Sequence, residues 1–107
     1  QVLENLPVIV FLLNNNMLGM VAQWQRTFYD KRYMGVHQKS CPDYVKIAEA
    51  YGANGMKVQS MDELEKAIKN ALKTEVATVI DITIDPEEDV YPFVAPGTGL
   101  KDMITGA

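Results

Sequence analysis

Residues able to bind a ligand are concentrated in one short segment of the sequence. Asn14, Asn15 and Asn16 follow the apolar run 7–13, and Gly19 opens a stretch of helical periodicity. Ligands of parallel sheets bind beyond the carboxyl ends of the strands, which is where this segment would lie. Amide and carbonyl oxygens suit Mg²⁺, and the N–H groups at a helix start suit a phosphate. Asparagine is also common in plain turns, so the residue types alone leave both interpretations open.

Three strands are predicted to position this segment. The run 7–13 is typical of a strand buried on both faces of a parallel sheet. Further strands are predicted at 56–58 and 78–84, with helical spacing between them. Strands that alternate with helices form parallel sheets covered on both faces, so we expect a three-layer α/β/α fold. Residues 1–85 are assigned to this domain, and residues 86–107, rich in proline, glycine and acidic residues, to an extended tail.

Helices are predicted at 19–29, at 42–51 with Pro42 in the first turn, and at 60–72. The apolar stripe of the first helix comprises Met17, Val21, Trp24 and Phe28. The third helix begins with a capping box, in which Ser60 and Glu63 bond the backbone reciprocally. Its buried stripe comprises Leu64, Ala67, Ile68, Ala71 and Leu72.

Composition excludes several classes of protein. The 107 residues are 48% hydrophobic and 22% charged with a net charge of −4, which is typical of one globular domain. Ten basic residues scattered among fourteen acidic ones form no patch for nucleic acid. The longest apolar run, 7–13, is far shorter than the roughly 20 residues that cross a bilayer, so no membrane partner is expected. A single cysteine, Cys41, excludes a disulfide framework, and we expect a cytoplasmic location.

Several sequence runs resemble the C-terminal part of the catalytic subunit of acetolactate synthase, also called acetohydroxyacid synthase. They are LLNNNMLGMVAQWQ at 12–25, FY at 28–29, PDY at 42–44, AEAYG at 48–52 and VAPGTGL at 94–100. The Asn-Asn pair identifies only the thiamine diphosphate superfamily, whereas LGMVxQW is much narrower. The resemblance extends over nearly the whole chain and implies the C-terminal portion of a thiamine diphosphate-binding domain.

The resemblance implies roles for individual residues. The side-chain oxygen of Asn15 and the backbone carbonyl of Met17 would bind Mg²⁺. The residues lining the cofactor would be Asn15, Asn16, Met17, Leu18, Gly19 and Met20. Trp24 would stand at the active-site entrance and shape the pocket for the second substrate, with apolar contacts that favour 2-ketobutyrate. Spacing alone also permits Met20 and Trp24 to be core residues, and His37 is assigned no role.

The implied reaction joins pyruvate to a second 2-ketoacid, pyruvate or 2-ketobutyrate, with loss of CO₂, in branched-chain amino-acid biosynthesis. The resemblance implies thiamine diphosphate and Mg²⁺ as cofactors and FAD elsewhere in the full-length enzyme. It also implies a homo-oligomer, a separate regulatory small subunit, and a tail that acts as a lid over the site.

The family also binds its diphosphate with a Gly-Asp-Gly sequence and activates the cofactor with a glutamate, both upstream of the Asn pair. These 107 residues contain no Gly-Asp-Gly. We therefore expect the chain to be a piece of a longer enzyme, with no catalytic residue of its own and no activity in isolation. Two alternatives are another thiamine diphosphate-dependent 2-ketoacid decarboxylase or carboligase, and a non-catalytic α/β interaction module.

Overall fold

The computed structural model describes residues 1–106, which form a three-layer α/β/α arrangement around a parallel sheet. In chain order the elements are β1 (Ile9–Asn14), α1 (Gly19–Phe28), α2 (Tyr44–Ala50), β2 (Asn54–Val58), α3 (Met61–Ala71), β3 (Thr78–Thr83) and a 3₁₀ turn (Leu100–Asp102). The sheet order is β1-β3-β2, and β3 pairs in parallel with both neighbours. The predicted fold class is confirmed.

One face of the sheet packs against α3. Ile80 at the centre of β3 is fully buried and forms a core with Val58, Ala67 and Ala71. The alanines of α3 let the helix approach the sheet closely, while its charged residues face solvent. Leu72, predicted in the buried stripe, is 71% exposed because the helix ends at Ala71 and the chain turns away.

The predicted capping box at the start of α3 is formed with one difference. The Ser60 hydroxyl accepts a hydrogen bond from the Glu63 N–H at 3.3 Å. The Glu63 carboxylate reaches back one residue further than predicted and accepts from the Gln59 N–H at 2.8 Å. Both backbone donors lack a partner within the helix, so the two side chains fix where α3 begins.

The opposite face of the sheet packs against α2. Gly55 of β2 lies so close to this helix that a Cβ atom there would be 2.7 Å from the Val45 carbonyl oxygen. The helix begins at Tyr44, not in a turn containing Pro42, because the Asp43 carboxylate caps the Lys46 N–H at 3.1 Å. That backbone hydrogen bond lowers the pKa of Asp43.

A buried acid lies on the α2 face of the central strand. Asp81 is 3% exposed, and one of its carboxylate oxygens has no hydrogen-bond partner within residues 1–106. A hydrogen bond with Cys41 raises the pKa of Tyr44 at the start of α2, and burial and the Asp81 charge act in the same direction. Strand alternation correctly places Asp81 opposite Ile80.

The prediction that the first strand is buried on both faces is wrong for this chain. β1 lies at the sheet edge, and the side chains of Phe11 and Leu13 are 47% and 65% exposed. The apolar pattern correctly predicts a parallel strand. However, α3 contacts mainly β2 and β3, and within residues 1–106 only Ile9 of β1 packs against their shared core. β1 therefore has an uncovered apolar face and an unpaired edge.

The predicted apolar stripe of α1 is not its buried face. The buried residues of this helix are Ala22 and Gln23, whereas Val21, Trp24 and Phe28 are each more than a third exposed. Within the described residues α1 makes no extensive contact with the sheet. It packs instead against the C-terminal tail, which folds back along it through the buried Gln23.

No helix within residues 1–106 is long and apolar enough to cross a membrane.

We predict that the 107-residue chain on its own self-associates through the exposed edge and face of β1. Unpaired strand edges and contiguous apolar surfaces both favour association. Sedimentation velocity should show a species larger than the monomer, and Phe11→Lys with Leu13→Lys should shift it toward the monomer. Leu72→Lys, at an equally exposed site remote from β1, is the matched control and should leave the distribution unchanged. A compact wild-type monomer would contradict this and favour the interaction module.

Candidate functional site

The loop after β1 is built from two side-chain turns in succession. The Asn14 side-chain oxygen accepts from the Asn16 N–H at 3.0 Å, and the Asn15 side-chain oxygen accepts from the Met17 N–H at 3.0 Å. Asn16 adopts a positive φ of 54°, which asparagine tolerates better than most residues. The three asparagines thus reverse the chain between the strand and α1. Residues 14–18 are called the asparagine loop below.

A second segment fastens this loop from outside. The Leu18 N–H donates to the Val36 carbonyl at 2.9 Å, and the Gln38 N–H donates to the Asn16 carbonyl at 2.9 Å. Val36 is fully buried, so the segment that makes these bonds is itself anchored. The loop is therefore held in place by main-chain bonds as well as by its own side chains.

Two oxygens of the loop have the properties of Mg²⁺ ligands. The Met17 carbonyl accepts no hydrogen bond within residues 1–106. The Asn15 oxygen accepts one, and an amide oxygen has a second lone pair. Mg²⁺ favours hard oxygen ligands of this kind. The described part of the chain contains no group of three His, Cys, Asp or Glu side chains that could hold a metal. The two oxygens alone could supply only part of the six-fold coordination of Mg²⁺.

The start of α1 is suited to a phosphate. Leu18 at the N-cap gives no side-chain bond to the helix, and the first turn contains no acidic residue. The free N–H groups and the positive end of the helix dipole therefore remain available to an anion. Gly19 permits close approach here, because a Cβ atom on it would be 3.1 Å from the Asn15 side-chain nitrogen. The oxygens at 15 and 17 and the free helix start thus adjoin each other.

Trp24 lies one helical turn beyond Met20 on the same side of α1. The indole is 37% exposed and Met20 is 51% exposed, and with Val21 they line a shallow hollow of about 220 Å³. The Trp24 ring packs edge-on against Phe28 at 5.8 Å and against Phe93 of the tail at 6.3 Å between centroids. Trp24 is thus an accessible aromatic surface, supported by two rings, on the helix that follows the asparagine loop.

A larger hollow within residues 1–106 lies elsewhere. It has a volume of about 670 Å³ and is lined mainly by apolar side chains of α2, β3 and the N-terminal turn. None of the predicted site residues lines it. A hollow of about 330 Å³ does adjoin the asparagine loop and includes His37 and Tyr33, whose rings are 5.7 Å apart.

Three polar residues that join α1 to the tail were missed by sequence reasoning. They are Gln23, Arg26 and Asp89: Gln23 bonds to the backbone of Val90, and Arg26 pairs with Asp89. The predicted apolar stripe of α1 placed both helix side chains away from the packing face. The signal available in the sequence was the acidic run 87–89 together with an arginine on α1, about sixty residues earlier in the chain. Opposite charge alone could not pair Arg26 with Asp89, because the sequence does not give the distance between the two side chains.

Comparison with known proteins gives a consistent result. Residues 1–82 match the family model described as thiamine pyrophosphate enzyme, C-terminal TPP binding domain. The chain is 40% identical over 100 residues to the mitochondrial acetolactate synthase of Schizosaccharomyces pombe, covering 94% of this chain and 15% of that protein. It is 44% identical over 102 residues to the acetolactate synthase large subunit of Buchnera aphidicola from Schizaphis graminum, covering 92% and 18%.

A solved structure is also similar. The thiamine diphosphate-dependent 4-hydroxybenzoylformate decarboxylase of Rhodococcus jostii RHA1 superposes with a TM-score of 0.70 at 25% identity, covering 78% of this chain and 16% of that one. The chain therefore spans less than a fifth of the length of each of these proteins.

We predict that Asn15→Ala loosens the loop at Met17. Loss of the side-chain acceptor exposes the Met17 N–H to solvent, and one hydrogen bond of about 1.4 kcal/mol corresponds to about tenfold faster amide hydrogen exchange. Nuclear magnetic resonance can follow this amide directly. Asn16→Gly, which keeps the positive φ and removes a neighbouring side chain that makes no bond, is the control. Unchanged exchange at Met17 in Asn15→Ala would show that the bond does not hold the loop.

Proposed function

Because the chain belongs to the thiamine pyrophosphate enzyme family through its C-terminal TPP binding domain, we propose that it is part of an acetolactate synthase catalytic subunit. The observation that carries the proposal is the sequence of features after β1. Two metal-competent oxygens at Asn15 and Met17, a free helix N-terminus at Gly19 and an accessible indole at Trp24 follow one another within ten residues.

The chain's own residues would bind and orient the cofactor. The Asn15 oxygen and the Met17 carbonyl would hold Mg²⁺, and the N–H groups at the start of α1 would bind the diphosphate. Asn16, Leu18, Gly19 and Met20 complete the predicted lining. Thiamine diphosphate, when bound, supplies the electron sink that a 2-ketoacid needs to lose CO₂. No residue of this chain is assigned to proton transfer.

The second substrate would meet the surface formed by Met20, Val21 and Trp24. Pyruvate and 2-ketobutyrate differ by one methylene group, which an apolar surface can recognise only by contact. The indole offers a broad, rigid contact area because Phe28 and Phe93 support its edges. These side chains would also exclude water from the reacting groups. This is how Trp24 would favour 2-ketobutyrate as the acceptor.

The remaining components of the proposed enzyme lie outside this chain. Several relatives are named large subunits, which supports a small regulatory subunit as a partner. FAD, a homo-oligomeric assembly and a cytoplasmic location are proposed from the resemblance and the composition. We also propose that the tail serves as a lid, which its contact with Trp24 through Phe93 supports.

A second candidate function is a 2-ketoacid decarboxylase of the same superfamily. The similarity to the thiamine diphosphate-dependent 4-hydroxybenzoylformate decarboxylase favours it, because that enzyme shares the fold of this chain. The acceptor separates the two, since a decarboxylase needs only a proton where a synthase needs a second 2-ketoacid. Product analysis with the whole gene product, pyruvate, Mg²⁺ and thiamine diphosphate therefore tests the proposal: acetolactate supports it, and acetaldehyde alone favours the second candidate.

We predict that the 107-residue chain on its own does not turn over pyruvate. It contains no Gly-Asp-Gly, and the described residues supply no complete set of metal-binding side chains. An assay of CO₂ release at saturating Mg²⁺ and thiamine diphosphate should give the rate of a protein-free blank, with the whole gene product as the positive control. Clear turnover by the isolated chain would contradict the assignment of cofactor activation to residues outside it.

We predict that Trp24→Leu in the whole gene product lowers the preference for 2-ketobutyrate over pyruvate by about tenfold, since the discriminating contact is apolar. Competition between the two acceptors, read from the ratio of the products, measures this directly. Tyr51→Leu, which alters an exposed aromatic residue remote from the loop, is the control. An unchanged ratio in Trp24→Leu would remove Trp24 from the acceptor pocket.

A further inference from the structure

The C-terminal segment 87–94, called the strap below, is fastened to α1 by a buried side-chain amide. Gln23 is 2% exposed, and its side-chain nitrogen donates to the Val90 carbonyl at 3.0 Å. The Val90 N–H donates back to the Gln23 side-chain oxygen at 3.0 Å. Both ends of a buried amide are thus satisfied by one backbone residue, and loss of either bond would leave a buried polar group unpaired.

A buried ion pair one helical turn later fastens the strap a second time. The Arg26 guanidinium donates to both carboxylate oxygens of Asp89, at 3.1 Å and 3.3 Å from Nε, and Nη2 also contacts the carboxylate. The two side chains are only 9% and 13% exposed. The hydrogen bond to Asp89 raises the pKa of Arg26, so the guanidinium stays charged. Its Nη1 also donates to the Tyr33 hydroxyl at 2.9 Å.

The strap carries the ring that supports Trp24. Phe93 lies three residues after Val90, and its ring is 6.3 Å from the indole and 6.1 Å from Phe28. The Phe93 backbone is fixed from the other side by two hydrogen bonds of 2.8 Å with Ile104. The position of Phe93 therefore depends on the bonds between the strap and α1 as well as on its pairing with Ile104.

Two aromatic rings contact Trp24 within residues 1–106. They are Phe28 on its own helix and Phe93 on the strap, whereas α1 makes no extensive contact with the sheet. The side of the indole toward Met20 and Val21 is open. A ring from a segment more than sixty residues away in sequence therefore supports the indole beside that open side.

We propose that Gln23 and Arg26, with Asp89, are positioning residues for acceptor choice: by fixing the strap they orient Trp24 without touching either substrate. This inference rests on the proposed function, because the pocket that Trp24 would shape belongs to that reaction. A freely reorienting indole presents no fixed contact for one extra methylene group. Loosening the strap should therefore lower discrimination between acceptors and leave the use of pyruvate as the first substrate intact.

The first experiment reads the indole itself. Trp24 is the one tryptophan in the 107-residue chain, so its fluorescence anisotropy and emission maximum report on this side chain alone. Asp89→Asn and Gln23→Leu should lower the anisotropy and shift the emission to longer wavelength. Asp89→Glu, which keeps the charge, should restore part of the loss. Far-ultraviolet circular dichroism identifies variants that keep the fold, and the nearly isosteric Asp89→Asn is the variant on which the decision depends.

Two matched controls separate the strap's fastening from general loosening. Gln25 makes the same pair of bonds as Gln23, at 3.0 Å each, but to Met34 in a different segment, so Gln25→Leu should not move the indole signal. Lys31→Gln removes an exposed ion pair with Glu87, at 3.4 Å, from the strap itself and should also leave the signal unchanged. An indole signal that is the same in Asp89→Asn as in the wild type would overturn the proposal.

The second experiment measures acceptor choice in the whole gene product. Asp89→Asn should lower the preference for 2-ketobutyrate over pyruvate severalfold, with kcat for pyruvate alone changed much less, whereas Gln25→Leu should not. A mobile indole with an unchanged acceptor ratio would overturn the assignment of specificity to the strap. If the wild-type enzyme forms no acetolactate at all, the proposed function fails, and the part of this inference that concerns the acceptor fails with it. That result differs from an unchanged anisotropy, which would overturn the role of the strap itself.

Discussion

The pairing of β3 with both neighbouring strands is the interaction on which the rest of the structure depends. β3 is the last strand in sequence but the central one in space, so the sheet exists only when the C-terminal half of the chain has closed onto β1. Ile80 at its centre joins β2 and α3 into one core, and the Ile84 N–H donates to the Asn14 carbonyl at 3.0 Å. The same strand thus builds the core and fixes the point where β1 ends, which is where the asparagine loop begins.

The asparagine loop meets two requirements with the same residues. The chain must reverse sharply after β1, and the side chains of Asn14 and Asn15 make that reversal by accepting backbone N–H groups. An amide oxygen that accepts one hydrogen bond retains a lone pair, so the group that shapes the turn can also coordinate a hard cation. Within residues 1–106 the same geometry leaves the Met17 carbonyl without a hydrogen bond. The turn and the proposed metal ligands are one structure, which is why residue types alone could not separate them.

The helix α1, which follows the asparagine loop, is held mainly by polar contacts and not by an apolar core. α1 is attached to the molecule by Gln23, Gln25 and Arg26, which bond to two segments that follow it in sequence. Its apolar residues Met20, Val21 and Trp24 are consequently left on the surface beside the loop. A helix that packed its aromatic stripe into the interior would be more stable by burial but could not present that stripe to a substrate.

The fold class, the three strands and helices, the capped start of α3 and the asparagine loop at a strand end could all be predicted from the sequence. They follow from local periodicity and from the hydrogen bonds that Ser and Asn side chains make to nearby backbone groups. The roles of Asn15, Met17 and Trp24 came from the resemblance and stay predictions. Tertiary structure alone decided that β1 is an edge strand, that Leu72 is exposed, and that Gln23 and Arg26 of α1 face inward. Periodicity indicates that a helix has an apolar side. Which side of α1 is buried depends on the strap at 87–94, which packs against it from a distant part of the sequence. No local pattern contains the spatial distances that determine this pairing.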